Sequence, residues 1–190
     1  MPGPIALKEW AVAVEALLSG RQILLMRKGG IAEETREFTI KSDRFFLYPT
    51  YEHQKAHLLK PEYRETLKMV SPAPETVEIR CFAELIEDIE VSSDEQLRRI
   101  ADHHIWTDDF ASERLRWKRT KPLHVLLLRV YELNEPIRLP VLPEYGGCKS
   151  WIELKTDVDL SGMDGLRPVL TDKEWKEKAD SVKHLLNMNV

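Results

Sequence analysis

The sequence has few of the features that mark secreted, membrane or fibrous proteins. It contains only two cysteines, Cys81 and Cys148, in 190 residues, which are too few for a disulfide framework. No apolar run approaches the length of a membrane-spanning helix, and the amino-terminal segment MPGPIALKEW lacks the basic and then apolar pattern of a signal peptide. We therefore expect a cytoplasmic protein that makes no membrane contact.

Glycine, proline and net charge exclude further classes. The 8 glycines and 11 prolines are scattered along the chain, which excludes collagen-like and low-complexity proteins. With 43% hydrophobic and 32% charged residues, the composition is that of an ordinary globular protein. A formal charge of -4 argues against uniform coating of nucleic acid, but it leaves room for local basic patches.

The first 30 residues predict a helix followed by a buried strand. Apolar residues from Leu7 onward recur close to helical spacing, which favours a helix over residues 6–18 that ends at Gly20. The alternation in WAVAV also fits a strand, with a hairpin turn at Ser19-Gly20, and this alternative stays open. In either case, the apolar run Ile23–Met26 is typical of a buried strand.

The next segment predicts two strands, a helix and then a break. The strands are Glu37–Lys41 and Arg44–Thr50, and Pro49 indicates that the second ends at a sheet edge. A helix is expected from Pro61 to about Met69. The proline-rich segment Ser71–Glu75 then interrupts regular structure.

The rest of the chain completes an α+β pattern. Strands cluster rather than alternate regularly with helices, so we predict a mixed or antiparallel sheet flanked by helices. We expect one domain over residues 1–190, with a possible subdivision into 1–70 and 76–190. The predicted elements are a strand starting at Thr76, a helix capped by Ser93, a short helix from Thr107 to about Trp117, a strand at Leu123–Tyr131, an extended or looping segment at Glu135–Glu144 and an amphipathic carboxy-terminal helix capped by Thr171.

A first candidate site follows the strand at Ile23–Met26. Gly29 and Gly30 allow close approach of the backbone to an anion, while Arg27 and Lys28 supply positive charge. The spacing matches neither a P-loop nor a dinucleotide-binding motif. The segment therefore indicates a phosphate contact or, equally, a solvated turn.

A second candidate site lies where the strand Arg44–Thr50 gives way to a loop. It contains Tyr48 and Tyr51, which offer stacking surfaces, together with Glu52 and His53. His53 is a candidate general acid or base, and Glu52 is a candidate to orient it. The alternative is that Tyr48 belongs to the core and His53 caps a backbone group.

The third candidate is a basic run that surrounds a tryptophan. Arg116, Lys118 and Lys121 are positioned to neutralise phosphates, while Trp117 offers a ring for an unpaired base. A charge run is also typical of a solvated helix face, and the acidic segment Glu84–Glu95 is a possible internal counterpart.

A fourth pattern is reminiscent of metal-dependent nucleases. Glu144 precedes Glu153 and Lys155, a layout in which two carboxylates hold Mg²⁺ and the lysine supports the attacking water. So short a match is common by chance. We expect no bound metal and no cofactor.

The chain resembles a bacterial family of unknown function. The resemblance rests on ALKEWA at residues 6–11, RKGGI at 27–31, FLYPT with EHQ at 46–54, and the segment from LRW to KP at 115–122. It implies an association with restriction-modification systems and with their protein components.

Three hypotheses follow from these residues. The first is a single α+β protein that binds nucleic acid or another phosphorylated ligand without catalysis of its own. The second is a small hydrolase or transferase with His53 as acid and base. The third is a metal-dependent nuclease that uses Glu144, Glu153 and Lys155.

Overall fold

A computed structural model describes residues 3–28, 39–52, 54–68, 75–116, 122–147, 149–158, 163 and 165–188. These residues form both strands and helices, and the two kinds of element do not alternate regularly along the chain. The strands are β1 (Ile5–Trp10), β2 (Leu24–Arg27), β3 (Arg44–Thr50), β4 (Thr76–Val91), β5 (Leu123–Pro140), β6 (Trp151–Glu153) and β7 (Arg167–Pro168). The helices are α1 (Ala11–Leu18), α2 (Pro61–Lys68), α3 (Asp94–Arg99), α4 (Asp108–Arg116) and α5 (Asp172–Asn187).

All seven strands belong to one mixed sheet. Its order is β2-β5-β4-β3-β1-β6, and β7 pairs with β5 outside this path. The β1–β3 pair is parallel, and the other pairs are antiparallel. This arrangement confirms the predicted α+β class. Strands from both sides of the proline-rich segment share the sheet, although Ser71–Pro74 themselves lie outside the described residues.

Each face of the sheet carries its own hydrophobic core. Because side chains alternate along a strand, Phe45 and Leu47 of β3 enter the larger core, while Phe46 and Tyr48 enter the smaller one. Helices α1, α3, α4 and α5 pack on the larger core. The smaller core is closed by Tyr145 and by residues that follow β6.

The helix predicted over residues 6–18 is correct only in its second half. Residues 5–10 form β1, which is paired with β3 on one side and β6 on the other, so ladder hydrogen bonds outweigh the local helical spacing. The helix α1 begins at Ala11, where the amide of Val12 donates to the side chain of Gln54 at 3.1 Å. It ends at Leu18, as predicted, and Gly20 follows in the left-handed conformation with φ 69°, its amide donating to the carbonyl oxygen of Leu17 at 3.0 Å.

Three strand predictions need correction. Residues 39–41 are not part of a strand, while the remainder of the predicted strand Glu37–Lys41 lies outside the described residues. The strand β3 is interior, and Pro49 is tolerated because it lies beyond the three residue pairs that join β3 to β4. The strand predicted at Leu123–Tyr131 is longer than expected, because β5 continues to Pro140. The segment predicted as extended or looping is therefore extended over residues 135–140. Among the described strands only β4 pairs with it there, so the prolines interrupt no second ladder.

The capping box of α5 gives the first testable prediction. Thr171 Oγ1 accepts from the Glu174 amide at 3.3 Å, and Glu174 Oε2 accepts from the Thr171 amide at 2.9 Å, as the sequence predicts. Thr171→Ala should lower the free energy of unfolding by about 1 kcal/mol, because it removes one acceptor from the helix start. Urea unfolding measures this, and Thr171→Ser, which keeps the hydroxyl, is the control. Equal losses for both variants would contradict a capping role.

The longest described helix, α5, has 16 residues. Among the helices of the described ranges, none combines the length and the apolar character that crossing a membrane requires.

Candidate functional site

Arg27 joins strands that are not neighbours in the sheet. Its Nη1 donates to the carbonyl oxygen of Lys8 at 3.3 Å and to Glu9 Oε2 at 3.1 Å, and its Nη2 donates to Ser150 Oγ at 2.6 Å. Since β2 lies at one end of the strand order and β1 lies next to the other end, the sheet must curl for these atoms to meet. Glu9 and Arg27 are only 5% and 9% exposed, so the ion pair is buried in the seam between the two sheet edges.

Two further cations lie beside this ion pair. Lys28 is buried, and its Nζ donates to the carbonyl oxygen of Leu115 near the end of α4. The Arg114 guanidinium lies over the Phe110 ring, 5.0 Å from the ring centroid. Among the described residues, no carboxylate is within ion-pair distance of Lys28 or Arg114. We call Arg27, Lys28 and Arg114 the basic cluster.

The surroundings of the basic cluster disfavour additional positive charge. Burial lowers the pKa of Lys28. Burial also lowers the pKa of Arg114, the charge of Arg27 lowers it further, and Glu9 acts in the opposite direction as the smaller influence. An anion placed at Arg114 would therefore meet a site in which positive charge predominates.

Stacked aromatic rings hold Arg114 in place. The Phe110 ring lies 5.3 Å from Trp106 in a stacked arrangement and 5.4 Å from Trp10 in a tilted one. Phe110 and Trp106 are buried, so the ring beneath the guanidinium is fixed on both sides. A guanidinium on such a support loses little side-chain entropy when it binds a ligand.

The residues predicted to contact phosphate are only partly brought together. Arg27 and Lys28 lie next to α4, but both side chains are buried and donate to internal partners, Glu9 and the carbonyl oxygen of Leu115. Arg116 is exposed and forms an ion pair with Asp94 of α3 at 3.5 Å. That pair matches the internal counterpart suggested by the acidic segment Glu84–Glu95. Five predicted residues lie outside the described ranges: Gly29, Gly30, Trp117, Lys118 and Lys121.

Tyr48, Tyr51 and Glu52 line a cavity of about 120 Å³ on the other face of the sheet. Lys8 lines this cavity, whereas the side chain of Glu9 lies in the seam with Arg27. Lys8 and Glu9 are consecutive in β1, so their side chains point to opposite faces of the sheet. The predicted tyrosine segment and the basic cluster are therefore two separate places. His53 lies outside the described residues, so its role as acid or base stays a prediction.

The surroundings of Tyr48 and Tyr51 raise the pKa of both hydroxyls. Burial, with smaller contributions from Tyr145 and Tyr51, raises the pKa of Tyr48 to about 12. Burial and the nearby carboxylates of Glu15 and Glu78 raise the pKa of Tyr51, against an opposing effect of Arg80. Both hydroxyls are therefore protonated donors at neutral pH.

The residues of the nuclease pattern form a surface pair rather than a ligand set. Lys155 Nζ lies 3.9 Å from a carboxylate oxygen of Glu144, and both side chains are exposed. Glu153 accepts a hydrogen bond from the backbone amide of Gly3. Over the part of the chain that is described, no three histidine, cysteine, aspartate or glutamate side chains are grouped to hold a metal ion.

Sequence reasoning missed Glu9, Ser150 and the particular role of Arg114. No local pattern relates Glu9 or Ser150 to Arg27, because sheet curling alone brings them together. Arg114 had a readable signal, since it follows Phe110 by four residues, which places a cation over a ring on one helix face.

Three solved structures are similar to this chain, all of the ASCH protein from Zymomonas mobilis. The structure of ASCH itself has 14% identity and a TM-score of 0.47, with 93% of each chain covered. One mutant has 13% identity and a TM-score of 0.48, covering 96% of this chain and 99% of its own. A second mutant has 12% identity and a TM-score of 0.46, covering 93% and 96%.

No curated protein matches the chain. One family model matches residues 6–181, which include most of β1, the basic cluster, the tyrosine-lined cavity and most of α5. The chain therefore belongs to the family described as "Domain of unknown function (DUF1802)".

Proposed function

We propose that this chain is a cytoplasmic bacterial protein that binds nucleic acid or another phosphorylated ligand, without catalysis of its own. The observation that carries the proposal is the Arg114 guanidinium, which is fixed over Phe110 next to Arg27 and has no carboxylate partner in the described ranges. A planar guanidinium presents paired N–H donors that match the oxygens of a phosphate.

The location of Arg114 favours an extended ligand over an isolated ion. Lys28 fixes the end of α4 against β2, so the basic cluster lies directly before residue 117. The sequence continues there with Trp117, Lys118, Arg119 and Lys121, which add three positive charges and one ring. Cations beside an aromatic ring suit a nucleic-acid strand with an unpaired base.

We extend the proposal to an accessory role in a restriction-modification system, with DNA as the ligand and the system's proteins as partners. The support is the sequence resemblance together with the basic cluster. A preference for DNA over RNA of the same sequence would favour this extension, and a preference for RNA would contradict it.

The second testable prediction concerns Arg114. We expect fluorescence anisotropy to show binding of single- or double-stranded DNA or RNA that weakens as salt rises from about 50 to about 200 mM. Arg114→Gln should weaken binding by about tenfold and lower the salt slope by about 1, because one phosphate contact is lost.

Lys173→Gln is the matched control. It also removes one positive charge, but from an exposed position on α5, remote in sequence from the basic cluster. Binding that ignores salt, or equal effects of Arg114→Gln and Lys173→Gln, would overturn the proposal.

A further inference from the structure

The cavity beside Tyr48 is a second, independent candidate for ligand binding. It lies where the end of β3 meets the start of β4, the end of β5 and the turn around Tyr145. Its apolar wall includes Val77 and Tyr145, which are 1% and 3% exposed. A cavity walled by buried side chains keeps its shape before a ligand arrives.

Four contacts hold this wall in position. Lys8 Nζ donates to the carbonyl oxygen of Tyr145 at 2.6 Å and to that of Gly147 at 2.9 Å. Tyr48 and Tyr145 meet edge to face with their ring centroids 5.6 Å apart, and the Tyr145 hydroxyl accepts from the Lys155 amide at 2.7 Å. The turn at residues 145–147 is thereby fixed to β1 and β3.

Three polar groups that line the cavity lack a hydrogen-bond or ion-pair partner among the described residues. The hydroxyls of Tyr48 and Tyr51 and the carboxylate of Glu52 make no hydrogen bond or ion pair with any described residue. Tyr48 is particularly informative, because its side chain is only 4% exposed. Its ring is buried, but its hydroxyl oxygen is not fully enclosed by the protein and faces the cavity, where a ligand can accept from it.

The size and polarity of the cavity define its ligand. A volume of about 120 Å³ is well below the roughly 300–1,000 Å³ of sites that enclose a drug-sized molecule, so the cavity takes one small ring system of about the size of a nucleobase. Apolar and aromatic walls favour a flat ring, while the protonated hydroxyls donate and the carboxylate accepts.

We infer that this cavity binds a planar heterocycle with adjacent C=O and N–H groups, as in uracil or guanine. A tyrosine hydroxyl donates to the ring carbonyl, and Glu52 accepts from the ring N–H. The cavity lies across the sheet from the basic cluster, so this inference does not depend on phosphate binding at Arg114.

Free nucleosides test the inference, with binding followed by ligand-observed NMR. Uridine should bind at millimolar concentrations, and 3-methyluridine, whose ring N–H is blocked, should bind about tenfold more weakly. Glu52→Ala and Tyr48→Phe should each weaken uridine by about fivefold or more, because each removes one hydrogen-bonding group and leaves the fold intact.

Cavity filling and a surface control complete the test. Val141→Trp should abolish uridine binding, whereas Ile86→Trp should not, since both start from exposed side chains but only Val141 lines the cavity. Arg114→Gln should leave uridine binding unchanged, which separates this inference from the proposed function. Failure of the unmodified protein to bind uridine and guanosine, or equal binding of uridine and 3-methyluridine, would overturn the inference.

Discussion

Replacing Glu9 by glutamine is expected to lower the free energy of unfolding by about 3–5 kcal/mol, because it leaves the buried charge of Arg27 without this carboxylate. Glu9 is 5% exposed, so water cannot replace the lost interaction. Urea unfolding at neutral pH measures the change. The double variant Glu9→Gln with Arg27→Gln should recover part of the loss, since removing both charges also removes the cost of burying them.

The exposed pair Arg138–Glu78 provides the matched control. Its side chains are 77% and 44% exposed, so Glu78→Gln should cost less than about 1 kcal/mol. Equal losses for Glu9→Gln and Glu78→Gln would show that the seam does not hold a desolvated charge. An effect of the double variant equal to the sum of the two single effects would show that Glu9 and Arg27 act independently.

Acidification is expected to destabilise the protein through His104. Burial, followed by the charge of Lys60, lowers the pKa of His104 to about 4 from an ordinary value of 6.5. Between these values the unfolded chain binds a proton that the folded chain does not, so stability is full above about pH 6.5 and falls as the pH approaches 4. The loss from about pH 7.5 to about pH 5 should be about 2 kcal/mol.

Comparing the unmodified protein with a His104 variant separates the contribution of His104 to the pH dependence of unfolding from that of the other titrating groups. His104→Leu should make the pH dependence of unfolding shallower by that amount, whatever its effect on stability at neutral pH. His57→Gln, at an exposed position, is the control for loss of an imidazole. The same pH dependence in the unmodified protein and in His104→Leu would contradict the prediction.

Elements governed by short-range chemistry were predictable from the sequence. Thr171 and Glu174 form their capping box because both partners lie within one turn. The strand Arg44–Thr50 was predicted with its observed bounds, since its aromatic and β-branched residues are bounded by the polar turn at Ser42-Asp43. The helical ending at Gly20 also depends only on neighbouring residues.

Features that depend on distant partners were not predictable in the same way. Residues 6–10 have a spacing that suits a helix, and pairing with β3 and β6 makes them a strand instead. The candidate site divides for the same reason. Arg27 reaches Glu9 by sheet curling, and Tyr48 lies on the opposite face, which no spacing in a single sequence reveals.

The register of the sheet has a consequence for how the chain folds. Leu24 pairs with Leu127, and Leu7 pairs with Trp151, so much of the sheet joins residues far apart in the sequence. Closing such large loops costs entropy before the contacts form, which makes folding slow compared with a helical protein of similar length. The apolar strand β2 joins the sheet through β5, so it has no pairing partner until β5 is in place. Intermolecular association during refolding is expected to begin at this unpaired strand.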